Sequence, residues 1–247
     1  MEPIGPHPLD LAVLDWNRDG YHDFLTADFG MDTASLLLSQ GNVGTYQRVT
    51  LEADGDGCMN AVVEDLDGDG WEEILLLSAY DSRIRIYWGN QTGLFETKTD
   101  IDLPFDVSIP DDRNYIAKLR LMAAGRFSSV SETQLVATGE TEMVMYSIGK
   151  DRTIQRYWQQ ETSDQALSIM AVDLDGNEED ELLMTHIQRC GVSVYSFYTG
   201  NPLLLHSHSL ETELYGNVPM GVFSGYLNGD EFLDLVLYAF SGTLHTG

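Results

Sequence analysis

Short apolar runs alternate with acid-rich turns along the whole chain, and that alternation predicts strands throughout. Runs such as Ile74-Leu-Leu-Leu77 and Leu235-Val-Leu-Tyr238 are apolar at every position, which marks strands covered on both faces. After such a run come a turn, a third strand such as Arg83-Ile-Arg-Ile-Tyr-Trp88, a Gly-Asn turn, and an aromatic residue that opens a fourth strand. Gly41-Asn-Val-Gly-Thr-Tyr46 and Gly89-Asn-Gln-Thr-Gly-Leu-Phe95 are the clearest copies of that last turn. Apolar residues nowhere recur with the period of an amphipathic helix.

One unit recurs five times: an apolar run, a nine-residue acid-rich loop and a second apolar run. The loops are Asp15-Trp-Asn-Arg-Asp-Gly-Tyr-His-Asp23, Asp65-Leu-Asp-Gly-Asp-Gly-Trp-Glu-Glu73, Arg126-Phe-Ser-Ser-Val-Ser-Glu-Thr-Gln134, Asp173-Leu-Asp-Gly-Asn-Glu-Glu-Asp-Glu181 and Tyr226-Leu-Asn-Gly-Asp-Glu-Phe-Leu-Asp234. Their first residues are separated by 50, 61, 47 and 53 positions. Four short strands in about fifty residues is the arithmetic of a propeller blade. The predicted fold class is therefore all-β, a β-propeller of four-stranded blades. It forms a single segment over 1–247, with repeats near 9–52, 60–101, 117–160, 167–212 and 219–247. Only Ser241 to Gly247 follow the second strand of the fifth repeat, and residues 1–8 are rich in proline. The expectation is an incomplete ring, from a fragment of a longer chain or an incomplete gene model, with an irregular five-bladed ring as the alternative.

In a loop of this kind the side chains at positions one, three, five and nine can converge, with the backbone carbonyl of position seven, on one oxygen-seeking cation. Calcium (Ca2+) is the expected ion, because it takes roughly six to eight oxygens in flexible geometry whereas magnesium demands a tight octahedron. Loop one offers Asp15, Asn17, Asp19 and Asp23 with the Tyr21 carbonyl, and loop two offers Asp65, Asp67, Asp69 and Glu73 with the Trp71 carbonyl. Gly20 and Gly70 at position six allow the positive φ that turns the chain back past the ion. Loop four offers Asp173, Asp175, Asn177 and Glu181 with the Glu179 carbonyl, but Glu178 stands in the glycine position, where a side chain is strained. Loop five offers Asn228, Asp230 and Asp234 with the Phe232 carbonyl, and has Tyr226 at position one and Glu231 in place of glycine. Loop three presents Arg126, Ser128, Val130 and Gln134, with no carboxylate among them, and is expected to hold no metal. Arg126 either lays its guanidinium in the ion's place or points to water. Asp54-Gly-Asp-Gly57 lacks a ninth-position acid and reads as a turn between blades.

At these residues the chain resembles the FG-GAP/VCBS repeat family, which includes the integrin α-subunit propeller, over roughly residues 9–247. The resemblance implies calcium-filled loops and a binding or cell-adhesion scaffold working outside cells. It also implies a protein or glycan ligand on the face opposite the metal loops, where connections between blades and the turns from second to third strands lie. The longest such connection runs from Asp102 to Lys118, includes Phe105 and Asp111-Asp-Arg-Asn-Tyr115, and is the first interface candidate. Calcium affinity is expected in the range of extracellular modules, about 10⁻⁴ to 10⁻³ M.

Composition narrows the partners. Forty acidic against thirteen basic residues give a net charge of −27, which disfavours nucleic acid and anionic membranes and favours cations. No apolar run is long enough to span a membrane, and residues 1–8 hold no leader pattern, so a secretion signal is expected outside the residues given. Cys58 and Cys190 form neither a disulfide framework nor a zinc spacing, and read as buried free thiols. With no nucleophile elbow, phosphate loop or zinc triad, the chain is read as a non-enzyme. His206 and His208 read as part of a polar edge strand. The alternative function is a carbohydrate-binding, lectin-like propeller that uses Trp16, Trp71, Trp88 and Trp158 as sugar platforms. Trp16, however, stands where the other loops place Leu66, Phe127, Leu174 and Leu227, a packing position. Asn90-Gln-Thr92 forms a glycosylation sequon on a turn.

Overall fold

The computed structural model describes residues 4–42, 44–93, 95–105, 119–128, 132–162, 164–186, 191–197, 203–209, 217–230 and 232–241. Every regular element among them is a strand, and no helix there is long and apolar enough to cross a membrane. The first sheet takes β1 (Pro8–Leu14), β2 (Asp23–Asp28), β3 (Thr33–Ser39) and β4 (Tyr46–Glu52). The second takes β5 (Cys58–Glu64), β6 (Glu73–Ser78), β7 (Arg83–Tyr87) and β8 (Lys98–Asp102). The third takes β9 (Leu121–Gly125), β10 (Thr133–Thr138), β11 (Glu142–Ile148) and β12 (Ile154–Glu161). The fourth takes β13 (Ala166–Val172), β14 (Glu181–His186), β15 (Gly191–Ser196) and β16 (Leu203–Ser209), and the last pairs β17 (Asn217–Gly225) with β18 (Asp234–Ser241). Within a sheet, consecutive strands pair antiparallel, as short connections between neighbours require. The architecture is all-β, built of four-stranded blades of the propeller type. The chain groups into two compact units, residues 1–122 with 149–153, and residues 123–148 with 154–247.

The continuous apolar runs become the second strands. β6, β10 and β14 are buried at every position, and Ile74 to Leu77 are all 0% exposed. In the first unit Leu14, Leu25, Leu36, Cys58, Ile74, Leu76 and Tyr87 share one core with Trp16. Burial keeps Cys58 a free thiol and pushes its pKa up to about 12. Asp28 is buried in this unit and accepts hydrogen bonds from the Gly5 N–H (3.1 Å), Thr26 Oγ1 (2.8 Å) and Ser35 Oγ, so its charge is met by donors from three segments.

First strands carry a repeated irregularity. The register slips by one residue at Leu9 in β1, Met59 in β5, Leu167 in β13 and Met220 in β17. A bulge at the same place in four blades re-aims each first strand before it enters its loop. One element differs from expectation: Phe95 does not open the fourth strand, which begins at Lys98. Its ring stacks on Trp16 with centroids 4.9 Å apart, and that packing draws the chain out of the ladder. Asp54 to Gly57 form the connection from β4 to β5, as read from the sequence. Cys190, Val130, Glu231 and residues 106–118 of the long connection lie outside the described residues.

Candidate metal-binding loops

All five loops join the first strand of a blade to the second. In loops one, two, four and five, acidic or amide side chains fold back onto backbone N–H groups ahead of them, the Asx turn that short polar residues favour. At position one, Asp15 accepts from Asp19 and Gly20 (both 3.0 Å), and Asp65 accepts from Gly68 (2.9 Å) and Gly70 (3.0 Å). Asp173 accepts from Gly176 (2.7 Å), Asn177 (3.1 Å) and Glu178 (2.9 Å). Position five holds the position-seven N–H: Asp19 that of Tyr21 (2.9 Å), Asp69 that of Trp71 (2.8 Å), Asn177 that of Glu179 (2.7 Å) and Asp230 that of Phe232 (2.9 Å). Gly20 and Gly70 have φ of +85° and +88°, and Glu178 adopts the same left-handed backbone at +70°.

Position nine has a role that sequence reasoning missed. In all five loops its side-chain oxygen accepts the N–H of position two. The pairs are Trp16 to Asp23 (2.9 Å), Leu66 to Glu73 (2.7 Å), Phe127 to Gln134 (2.9 Å), Leu174 to Glu181 (3.0 Å) and Leu227 to Asp234 (2.8 Å). The second oxygen of Asp23 takes the Ser39 N–H (2.7 Å), and that of Glu73 takes the Gly89 N–H (3.1 Å), which braces the loop against the end of the third strand. Gln134 was the available signal, an amide that keeps the acceptor in a loop with no metal-binding character. In three loops position two also packs inward: Trp16, Leu66 and Phe127 are buried, whereas Leu174 is half-buried and Leu227 is exposed.

Among the described residues, two loops bring three carboxylates together. Asp65, Asp67 and Glu73 offer oxygens within 4.8 Å of one another, and so do Asp173, Asp175 and Glu181. A donor set made only of carboxylate oxygens suits a hard cation, and these two clusters could hold a metal ion. The other sites are arranged differently. In loop one the Asn17 amide donates to Asp19 Oδ2 (3.1 Å), and in loop five the Asn228 amide donates to Asp230 Oδ2 (2.9 Å) and Asp234 Oδ1 (3.3 Å). An amide N–H there occupies carboxylate oxygens that a cation would otherwise bridge. In loop three the Arg126 side chain is exposed, which matches the solvent-facing alternative, and its backbone N–H donates to Asp180 Oδ2 (2.7 Å).

Burial sets the electrostatics of position nine. It pushes the Glu73 carboxyl up to about 8, against the pull of the Leu66 and Gly89 N–H groups and with a further push from Asp67 and Asp69. Asp23 and Glu181 are raised by the same cause, with Asp19 pushing on the first and Asp175, Asp173 and Asp180 on the second. A carboxylate held above its ordinary range in a crowd of like charges is poised for a cation. Loop two already has one within reach: Arg152 Nε donates to Asp67 Oδ2 at 2.7 Å and Nη2 to Asp69 Oδ2 at 3.3 Å.

Antiparallel four-stranded blades, each with its polar loop between first and second strand, define a repeat protein of the β-propeller type. Its first two repeats resemble FG-GAP-like repeats: the profile of the FG-GAP-like repeat family matches residues 15–76 and 65–111. No curated protein matches the chain. Among solved structures it is similar to a protein from Lactobacillus plantarum, at 17% identity over 84% of this chain and 59% of that one, with a TM-score of 0.56. It is also similar to a Bacteroides uniformis protein provisionally assigned as a 6-phosphogluconolactonase, at 14% identity over 83% and 55% of the two chains (TM-score 0.57). A rhamnogalacturonan lyase aligns at 14% identity over 94% and 46% (TM-score 0.55). The structural neighbours thus include enzymes, and the chain spans about half the length of these relatives.

Proposed function

We propose that this chain is a calcium-binding FG-GAP-type repeat protein that serves as a binding or adhesion scaffold outside cells and not as a catalyst. One observation carries the reading: two loops at equivalent places in their blades gather the same acidic trio, Asp65, Asp67 and Glu73 in one and Asp173, Asp175 and Glu181 in the other. Repetition in register is what a metal loop requires and what scattered surface acids lack. Calcium suits the sites better than magnesium because most of these oxygens are already tied to backbone N–H groups, and a flexible coordination sphere tolerates such fixed donors. A bound ion stabilises the fold by mass action, since the unfolded chain does not gather the trio.

The partner is proposed to be a protein or glycan on the face opposite the loops. A protein is favoured because the tryptophans offer few stacking faces. Trp16 and Trp88 are buried, and the Trp71 ring is covered by the Arg18 guanidinium at 3.6 Å. The niche lined by Asp15, Trp16, Arg18, Trp71 and Glu72 has a volume of about 10 Å³, room for about one water and not for a sugar ring.

Calorimetric titration of the chain with calcium, beside thermal unfolding in EDTA and in millimolar calcium, tests the metal reading. Binding of at least two ions, one per acidic trio, with a raised Tm is the expected result. No heat and no shift would remove calcium from the proposal and leave the acidic loops as turns. A pull-down run beside a glycan array separates the two partner classes.

A further inference from the structure

We infer that Arg152 is a built-in counter-cation for loop two, so that a divalent ion enters that loop only by displacing the guanidinium. The inference rests on the calcium reading above and concerns which loop takes the ion readily. Arg152 lies in the turn of residues 149–153, which groups with the first unit. Its guanidinium bridges position three, Asp67, and position five, Asp69, and lies 4.8 Å from the centroid of the Trp88 ring. Asp67 is 5% exposed, so the pair is shielded from water on its acidic side. Lys150 of the same turn comes close as well, its Cε 4.0 Å from where a Cβ on Gly68 would stand.

With Arg152 in place the hydrogen bonding of the loop's carboxylates is complete. Asp65 accepts from Gly68 and Gly70, Asp67 from Asp69 and Arg152, Asp69 from Trp71 and Arg152, and Glu73 from Leu66 and Gly89. All eight carboxylate oxygens therefore hold a donor. Loop four has fewer: Asp175 Oδ1 takes the Asn177 N–H (3.1 Å) and Glu181 Oε2 the Leu174 N–H (3.0 Å), while the second oxygen of each has no protein donor among the described residues. Loop two has four carboxylates at its ligand positions and loop four has three. Carboxylate number alone would give loop two the tighter site. The guanidinium reverses that order, because it cannot lose its proton and must be moved off Asp67 and Asp69 before an ion can reach them.

The turn is shaped to hold Arg152 there. Its backbone φ is +66°, a left-handed conformation that costs a side-chain-bearing residue stability. Gly149 and Thr153 close the turn around it through Arg152 N–H to Gly149 O (2.8 Å) and Gly149 N–H to Thr153 O (2.9 Å), with Asp151 capping Thr153.

The test is calcium calorimetry on the full chain as wild type, Arg152→Gln, Asp67→Asn and the double variant, with Tm in EDTA for each. Arg152→Gln should tighten one calcium site by about two- to fivefold, the range expected when a partly exposed ion pair no longer competes. That gain should vanish when Asp67→Asn is also present. In EDTA the same substitution should lower Tm, and calcium should restore it. Arg152→Lys, which keeps the charge and loses the fork, should fall between wild type and glutamine and guards against a folding defect. If calcium still binds loop four but Arg152→Gln leaves every isotherm unchanged, the counter-cation inference is overturned while the calcium reading stands. If none of the four proteins takes up calcium, both fail together.

Discussion

A side chain at position nine of these loops performs two tasks, and the five copies separate them. The brace to position two needs only an oxygen acceptor, and Gln134 supplies it to Phe127 with an amide at 2.9 Å. Attraction for a cation needs the charge. Glu181→Gln should therefore keep the fold in EDTA at wild-type stability or slightly above, because burial already raises that carboxyl, yet weaken calcium binding. Glu181→Ala should cost about 1–3 kcal/mol in EDTA, the price of an N–H left without its acceptor. Urea denaturation of the two variants checks this, and equal stability would show that the brace contributes nothing. The acids at positions one, three, five and nine were legible in the sequence because residue type and spacing were enough to list them. The brace was not legible, since an acid at that place serves as ligand or acceptor equally well and only a distance to Trp16, Leu66 or Leu174 tells the two apart.

Among elements, the strand runs were the most legible feature. Ile74 to Leu77 read as a strand covered on both faces and β6 is buried at all positions, because an antiparallel blade has no other way to hide four consecutive apolar side chains. The bulges at Leu9, Met59, Leu167 and Met220 left no mark in the pattern. A bulge adds one residue to one strand, and in a short apolar run an extra apolar residue looks like its neighbours. Loop four shows where local strain was legible in advance. Glu178 stands at the glycine position and holds φ at +70°. Replacing it with glycine should stabilise the chain by about 0.5 kcal/mol, the left-handed penalty removed less the extra freedom glycine brings to the unfolded chain. A lower midpoint of chemical denaturation for Glu178→Gly would show that the loop is not strained there.

The whole molecule carries −27, and its response to pH follows from where that charge is buried. Glu73 is pushed up to about 8 from an ordinary value near 4.5, and Asp23 and Glu181 move in the same direction. Between those limits the folded chain holds a proton that the unfolded chain has released, so stability falls as pH rises through the window. Self-repulsion of the growing negative charge adds to the fall. In EDTA the Tm should drop steadily from pH 5 to pH 8, and millimolar calcium should flatten the curve, because a divalent ion favours the ionised carboxylates. Differential scanning calorimetry at a few pH values decides it, and a Tm that rises with pH in EDTA would place these carboxyls in the ordinary range.

The places of the five loops and the β character of the chain were determined by the sequence itself, because turns and apolar runs depend on neighbours a few residues away. Which oxygens remain open to a cation was decided by tertiary structure. Ser39 reaches Asp23 across 16 residues, Gly89 reaches Glu73 across 16, and Arg152 reaches Asp67 across 85. Partners at such separation are chosen by the packing of blades and turns, and no pattern within a nine-residue loop can name them.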